Sequence, residues 1–296
     1  MIDWYVVLTP LLVLPILLLL RFVGCDRVFG LTSSTYEESV TKEQSLAAYW
    51  RLGELNDDPK AKDEKGLHDG DYGQPPATPA AIPPSQAATG QALQGEPGLL
   101  STESGRTSVD FRGGYVVVPF ATALNSPSFT VEAWVFPGDW QPGNNHAAVN
   151  SIESDGTDIR GFSLASLWND AAQKSFWAGV LGTGAGVVTL TGPEVKTPPT
   201  KTYLAMTYDG PSSMAVLYVA TAHNSWDVLL SQTVPDYRPD QLNSLYIGAA
   251  HVALPPQPLP SPAPPVDVPF IGRIQEVAVY NLPLSEETLA TRRSFL

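Results

Sequence analysis

From Ser45 onward, turn-forming Gly, Pro, Asn and Asp residues interrupt the chain at roughly 8–14 residue intervals. Between them stand short runs rich in β-branched and aromatic residues: "SLAAYWRL", "TSVDF", "YVVVPF", "SFTVEAWVFP", "RGFSLASL", "SFWAGVL", "GVVTLTG", "TYLAMTYDG", "MAVLYVATA", "WDVLLSQTV" and "LYIGAA". The 28 prolines and 24 glycines also favour short strands and turns over long helices. A chain with this rhythm buries its apolar faces as two packed sheets or as a closed barrel. One run says where the centre lies. In "SFTVEAWVFP", Phe129, Val131, Ala133 and Val135 share one face, and Thr130, Glu132, Trp134 and Phe136 share the other. Both faces are mostly apolar, so this strand is expected to be central and covered on both sides.

Two stretches break the rhythm, residues 74–98 and 254–269, each dense in proline. Proline cannot donate to a strand ladder, so both are expected to be surface loops or polyproline II segments. The N-terminus differs again. An uncharged run from Trp4 to Leu20 is closed by Arg21, and with its flanks it is about long enough to cross a bilayer. Residues 1–27 are therefore expected to be a membrane anchor or uncleaved signal-like helix, with 28–44 a linker and 45–296 the sandwich. "FVGC" is similar to a bacterial lipobox, which makes Cys25 a candidate for lipidation, although the n-region ahead of the apolar run carries Asp3 and no Lys or Arg. Arg21 and Arg27 against Asp3 would place the following domain in the cytoplasm by the positive-inside rule.

Composition narrows the function. The net charge of −13 and the lack of any basic stripe exclude nucleic acid as a partner, because phosphate binding needs clustered Lys and Arg. A single cysteine permits no intrachain disulfide. There is no Gly-x-Ser-x-Gly elbow, His-Glu-x-x-His or phosphate loop. His68, His146, His223 and His251 have no ligand-like spacing and are expected mostly in exposed loops.

Three stretches together resemble the laminin-G-like group of the concanavalin A-like lectin/glucanase superfamily. The first is "AYWRLGELNDDPKAKDEKGLHDGDYG", with Asp63, Gly66 and Gly70 at the family's Asp-x-x-Gly-x-x-x-Gly spacing. The second is "VDFRGGYVVVP" followed by "SFTVEAWVFP". The third is "PFIGRIQEVAVYNLPLSEETLATRR", with Gly272, Ile274, Glu276, Val277 and Tyr280-Asn281 in the closing strand. The resemblance implies an all-β, two-sheet antiparallel jelly-roll β-sandwich, here behind an N-terminal hydrophobic helix and ending in a short C-terminal helix. The last strand should return beside the first, with Ser285 capping the helix and Glu286 and Glu287 in its first turn. It further implies a structural Ca²⁺ where first and last strands meet. Glu54 and Asp63 stand at the matching end of the first strand, and Gln275 where the family often has aspartate. It also places the domain outside the cytoplasm, at the cell surface or in the periplasm.

Glucanases share this fold, and retaining ones need two carboxylates about 5 Å apart, usually as Glu-x-Asp-x-x-Glu along a strand. "SIESDGTDIRG" offers only Glu153, Asp155 and Asp158, with aspartate in the last place and an Asp-Gly pair that reads as a hairpin tip. The chain is therefore expected to be non-catalytic. A ligand is expected at loop aromatics beside amides: Trp140 with Asn144 and Asn145, Trp168 with Asn169, and Trp226. There a ring can stack on a sugar while polar neighbours bond its hydroxyls. Trp134 and Trp177 lie inside strands and are expected in the core. The expected function is recognition or adhesion through a glycan or a surface protein. The alternative is a structural subunit that packs against copies of itself.

Overall fold

The computed structural model describes residues 35–55, 57–73, 90–154, 158–250 and 268–296. It divides into two units, Met1–Ser39 and Val40–Leu296. In the first unit only residues 35–39 are described. The expected anchor, Cys25 and the start of the linker therefore lie outside the described residues. The described helices do not include one long and apolar enough to cross a membrane. The end of the expected linker is helical: α1 (Tyr36–Thr41) straddles the boundary between the units. A reciprocal cap starts this helix, with the Glu38 amide donating to Thr35 Oγ1 and the Thr35 amide donating to Glu38 Oε2.

Among its described residues the second unit is built of antiparallel strands. In chain order they are β1 (Leu46–Trp50), β2 (Lys60–Ala61), β3 (Gly70–Gly73), β4 (Gln91–Pro97), β5 (Thr107–Arg112), β6 (Tyr115–Val118), β7 (Phe129–Pro137), β8 (His146–Asn150) and β9 (Glu153–Ser154). They continue with β10 (Ile159–Arg160), β11 (Phe162–Asn169), β12 (Lys174–Gly182), β13 (Val187–Glu194), β14 (Thr202–Asp209), β15 (Met214–Ala220), β16 (Val228–Thr233), β17 (Leu245–Ile247) and β18 (Ile271–Tyr280), before helix α2 (Glu286–Arg293). One sheet runs β16-β15-β14-β7-β18-β5-β4, with β1 also paired to β18; the other runs β13-β12-β11-β8-β17-β6-β3-β2. Strands β9 and β10 form a separate hairpin, as "ESDGTD" suggests, with residues 155–157 outside the described residues.

The expected centre is the observed one. Strand β7 lies between β14 and β18. Its Phe129, Val131, Ala133 and Val135 enter the core between the sheets, where Phe129 stacks on Phe162 of the opposite sheet at 4.5 Å. Its other face is covered too. There Glu132, fully buried, accepts hydrogen bonds from the hydroxyls of Tyr203 and Tyr280 and stands 3.6 Å from Arg292 of α2. Helix α2 is capped as expected, Ser285 Oγ accepting from the Thr288 amide at 3.2 Å.

Strand β18 closes the sandwich. On the flank away from β7 it pairs first with β5, over Ile271–Ile274, and then with β1, over Val277–Tyr280. The change of partner needs a bulge, found between Gln275 and Ala278. Glu276 takes the left-handed backbone there (φ 54°), and its amide donates to the Arg51 carbonyl at 3.1 Å.

Two expectations need correction. The proline-rich stretch 74–98 is not loop throughout, since residues 91–97 form edge strand β4 on β5. An edge tolerates Pro97 at its end, and Gly95 at φ 78° takes up the irregular register. Second, His146 is no exposed loop residue but the first residue of buried strand β8. Residues 254–267 lie outside the described residues.

Candidate functional site: a groove between two tryptophans

Where β7 ends, the chain turns through Pro137–Pro142. Where β11 ends, it turns through residues 169–173 into β12. These two loops, with the segment leaving β13, enclose a groove of about 520 Å³ lined by Trp140, Trp168, Gln173, Lys174, Glu194 and Lys196, among others. The two tryptophans were candidates as loop aromatics beside amides, and the fold brings them to one place.

They differ in how they are held. Trp140 is a fixed wall: its Nε1 donates to the Ile271 carbonyl at 2.6 Å. Its ring stacks on His146 at 4.4 Å and meets the edges of Trp177 and Phe270. His146 donates from Nδ1 to the Pro269 carbonyl at 2.8 Å, and burial lowers its pKa to about 4, so the ring under Trp140 is neutral. Trp168, half-buried, stands on the strand end, its Nε1 donating to Asp170 Oδ1 at 2.9 Å.

The nearby amides shape loops. Asn145 Oδ1 accepts from the Trp168 amide at 2.8 Å, which fixes the β11 end against the β7–β8 connection. Asn169 Oδ1 accepts from the Ala172 amide at 2.9 Å and builds the β11–β12 turn, where Gln173 sits at φ 54°. Asn144 is exposed, with its amide on the Gln141 carbonyl. None of the three lines the groove. Trp226 is also elsewhere. It packs on Tyr203 and Tyr218 on the α2-covered face, with the Arg293 guanidinium 4.3 Å above its ring.

The groove's charges were missed by sequence reasoning. Lys174 Nζ pairs with Glu194 Oε2 at 2.7 Å, and Lys196 reaches the Thr221 hydroxyl and Asp227 Oδ1 at 3.4 Å. The one signal available was mirrored placement: Lys174 opens β12 and Glu194 closes its hairpin partner β13.

The expected calcium set is not assembled. Both Asp63 oxygens accept backbone amides, from Tyr49 and Lys65 on Oδ1 and from Leu67 and His68 on Oδ2. Glu54 accepts from the Lys62 amide and the Tyr72 hydroxyl, both at 2.8 Å. Gln275 is buried, its oxygen accepting from the Leu99 amide at 2.6 Å. These oxygens are committed to protein donors, and among the described residues no three His, Cys, Asp or Glu side chains are grouped to hold a metal. The near-miss carboxylates likewise do not line the groove. Asp158 is bound by Arg160 at 2.6 Å and Arg238 at 3.1 Å. Glu153 lies beside Asp240, where burial and that neighbour raise its pKa to about 7. Asp155 lies outside the described residues.

A laminin-G-type family model described as the concanavalin A-like lectin/glucanases superfamily matches residues 110–290, and the chain belongs to that family. None of the curated proteins matches it. Among solved structures it is similar to domain 4 of AbnA, a GH43 extracellular arabinanase from Geobacillus stearothermophilus, in complex with arabinotriose. That match has 16% identity and a TM-score of 0.51, and covers 84% of this chain and 98% of that one. It is also similar to Trypanosoma rangeli sialidase, at 16% identity and a TM-score of 0.50, covering 86% of this chain but only 33% of the sialidase. At such identities the likeness establishes the two-sheet sandwich, and that fold by itself assigns no chemistry.

Proposed function

We propose that this chain is a non-catalytic glycan-recognition module, held at a membrane by residues 1–27 with its sandwich outside the cytoplasm. The observation that carries the reading is the convergence of Trp140, from the loop after β7, and Trp168, from the end of β11, on one groove with a polar wall. A sugar presents apolar C–H faces and a rim of hydroxyls. An indole wall with amides, an ammonium and carboxylates around it matches both. The fold shared with an arabinanase domain solved in complex with arabinotriose supports the choice of glycan over protein.

The test is a glycan array probed with the full chain in detergent, in parallel with Trp168→Ala. Binding to a defined set of glycans that disappears in the variant is the expected result. Glycan binding that survives Trp168→Ala would move the site away from the groove, and no binding to any glycan would end the reading.

A further inference from the structure

Building on that reading, we infer that the groove is selective for uncharged glycans carrying adjacent hydroxyls, and that the Lys174–Glu194 pair is its specificity element. The two lysines of the groove are each already matched. Lys174 Nζ lies 2.7 Å from Glu194 Oε2, and Lys196 is drawn toward Thr221 and Asp227. Asp139 adds a carboxylate to the lining, and Asp170 holds the Trp168 indole N–H at 2.9 Å. Among the described residues that form the lining there is no arginine, the side chain suited to grip a carboxylate with two parallel N–H groups.

A sialic or uronic acid entering here meets no uncommitted cation. Its carboxylate must displace Glu194 from Lys174, or lie beside Glu194 and Asp139 with like charge. The net charge of −13 adds repulsion beyond the groove, within the screening length of about 8 Å at physiological salt. A neutral sugar meets complementary groups instead. One hydroxyl of a neighbouring pair accepts from the Lys174 ammonium while the other donates to the Glu194 carboxylate. This engages the ion pair without breaking it. Gln173, on the same lining, offers both a donor and an acceptor.

The experiment is isothermal titration calorimetry of the full chain and its Glu194→Gln variant. The neutral probes are arabinotriose, xylotriose and maltotriose, and the acidic probes are 3′-sialyllactose and trigalacturonate. Thermal melts of both proteins confirm folding, which the exposed position of Glu194 protects. The wild-type chain should bind at least one neutral probe and neither acidic one. Glu194→Gln removes the competing carboxylate from Lys174. It should gain about fivefold or more in affinity for an acidic probe, and lose that gain in high salt. Acidic probes that bind the wild-type chain as tightly as neutral ones would overturn the inference and leave glycan recognition standing. So would a Glu194→Gln variant with unchanged acidic affinity. If neither protein binds any probe and the array is also blank, glycan recognition itself falls, and the inference falls with it.

Discussion

Trp140 and Trp168 face the same groove, but the structure gives them different work, and truncation should separate the two. Trp140 packs against His146, Trp177 and Phe270 and bonds the β18 backbone through its Nε1. Removing it opens a cavity beside the core and leaves the Ile271 carbonyl with the Gly138 amide as its remaining donor. Trp140→Ala should therefore cost about 3 kcal/mol of unfolding free energy. Trp168 is half-buried at a strand end, and its indole partner is the exposed Asp170. Trp168→Ala should cost under about 1 kcal/mol while abolishing glycan binding. Urea unfolding curves of the two variants check this. Equal losses of stability would mean that Trp168 is also a packing residue and no platform. An expected loop position beside Asn or Asp marked both tryptophans, but it also marked Trp226, which packs instead on Tyr203 and Tyr218. Nothing local distinguishes the three: the difference lies in which strand ends meet. The same blindness hid Lys174 and Glu194, whose pairing depends on the β12–β13 register and not on sequence proximity. The calcium expectation was blind in a related way. The family-like spacing placed Asp63 correctly, but it could not show that four backbone amides would claim its carboxylate.

At the scale of elements, the short helix α2 sets the condition for burying the outer face of β7. Arg292 on α2 and Glu132 on β7 are both almost fully buried, with Arg292 Nε 3.6 Å from Glu132 Oε1 and its Nη2 3.6 Å from Glu43. The hydroxyls of Tyr203 and Tyr280, from the strands on either side of β7, complete the shell around Glu132. An ion pair of this kind adds little over an apolar pair of the same shape, but losing one member strands a buried charge. Arg292→Met should accordingly destabilise the chain by about 3–5 kcal/mol. Adding Glu132→Gln, which removes the stranded charge and keeps a hydrogen-bonding group for the tyrosines, should restore at least about half of that loss. A double-mutant cycle in urea measures the coupling. Strictly additive losses would show that the two side chains do not depend on each other, and that α2 is held by its apolar contacts, such as buried Leu289.

For the whole molecule, the strands that were legible are those carried by a run of β-branched and aromatic residues between turn signals: β1, β5, β6, β7 and β11 to β18. The short β2 and β3, and β4 inside a proline-rich stretch, owe their pairing to neighbours brought from far along the chain, so no local signal announces them. The closure of the sandwich also leaves ionisable groups whose opposing effects only the intact fold combines. Glu276 sits at the β18 bulge, held by the Tyr49 hydroxyl and the Gln275 amide, with Arg51 Nε at 3.7 Å and Glu103 the other charge acting on it. Burial outweighs Arg51 and raises its pKa from 4.5 to about 7, a displacement equivalent to at most about 3 kcal/mol. A carboxyl raised in this way stabilises the fold fully below pH 4.5, and that contribution is lost as pH rises toward 7. Glu153, more exposed, acts in the same direction through burial and its neighbour Asp240. His146 works oppositely. Its pKa falls from 6.5 to about 4, so its contribution is present above pH 6.5 and is lost as pH falls toward 4. Between pH 4.5 and 6.5 the two carboxyls outweigh the one imidazole, and the unfolding free energy should fall as pH rises. Glu276→Gln removes one of the two falling slopes, and stability should then be nearly flat across that window. Urea titrations at half-unit pH steps from 4 to 8 read the difference. A variant whose profile parallels the wild type would mean that Glu276 is ionised in the fold, with Arg51 prevailing over burial.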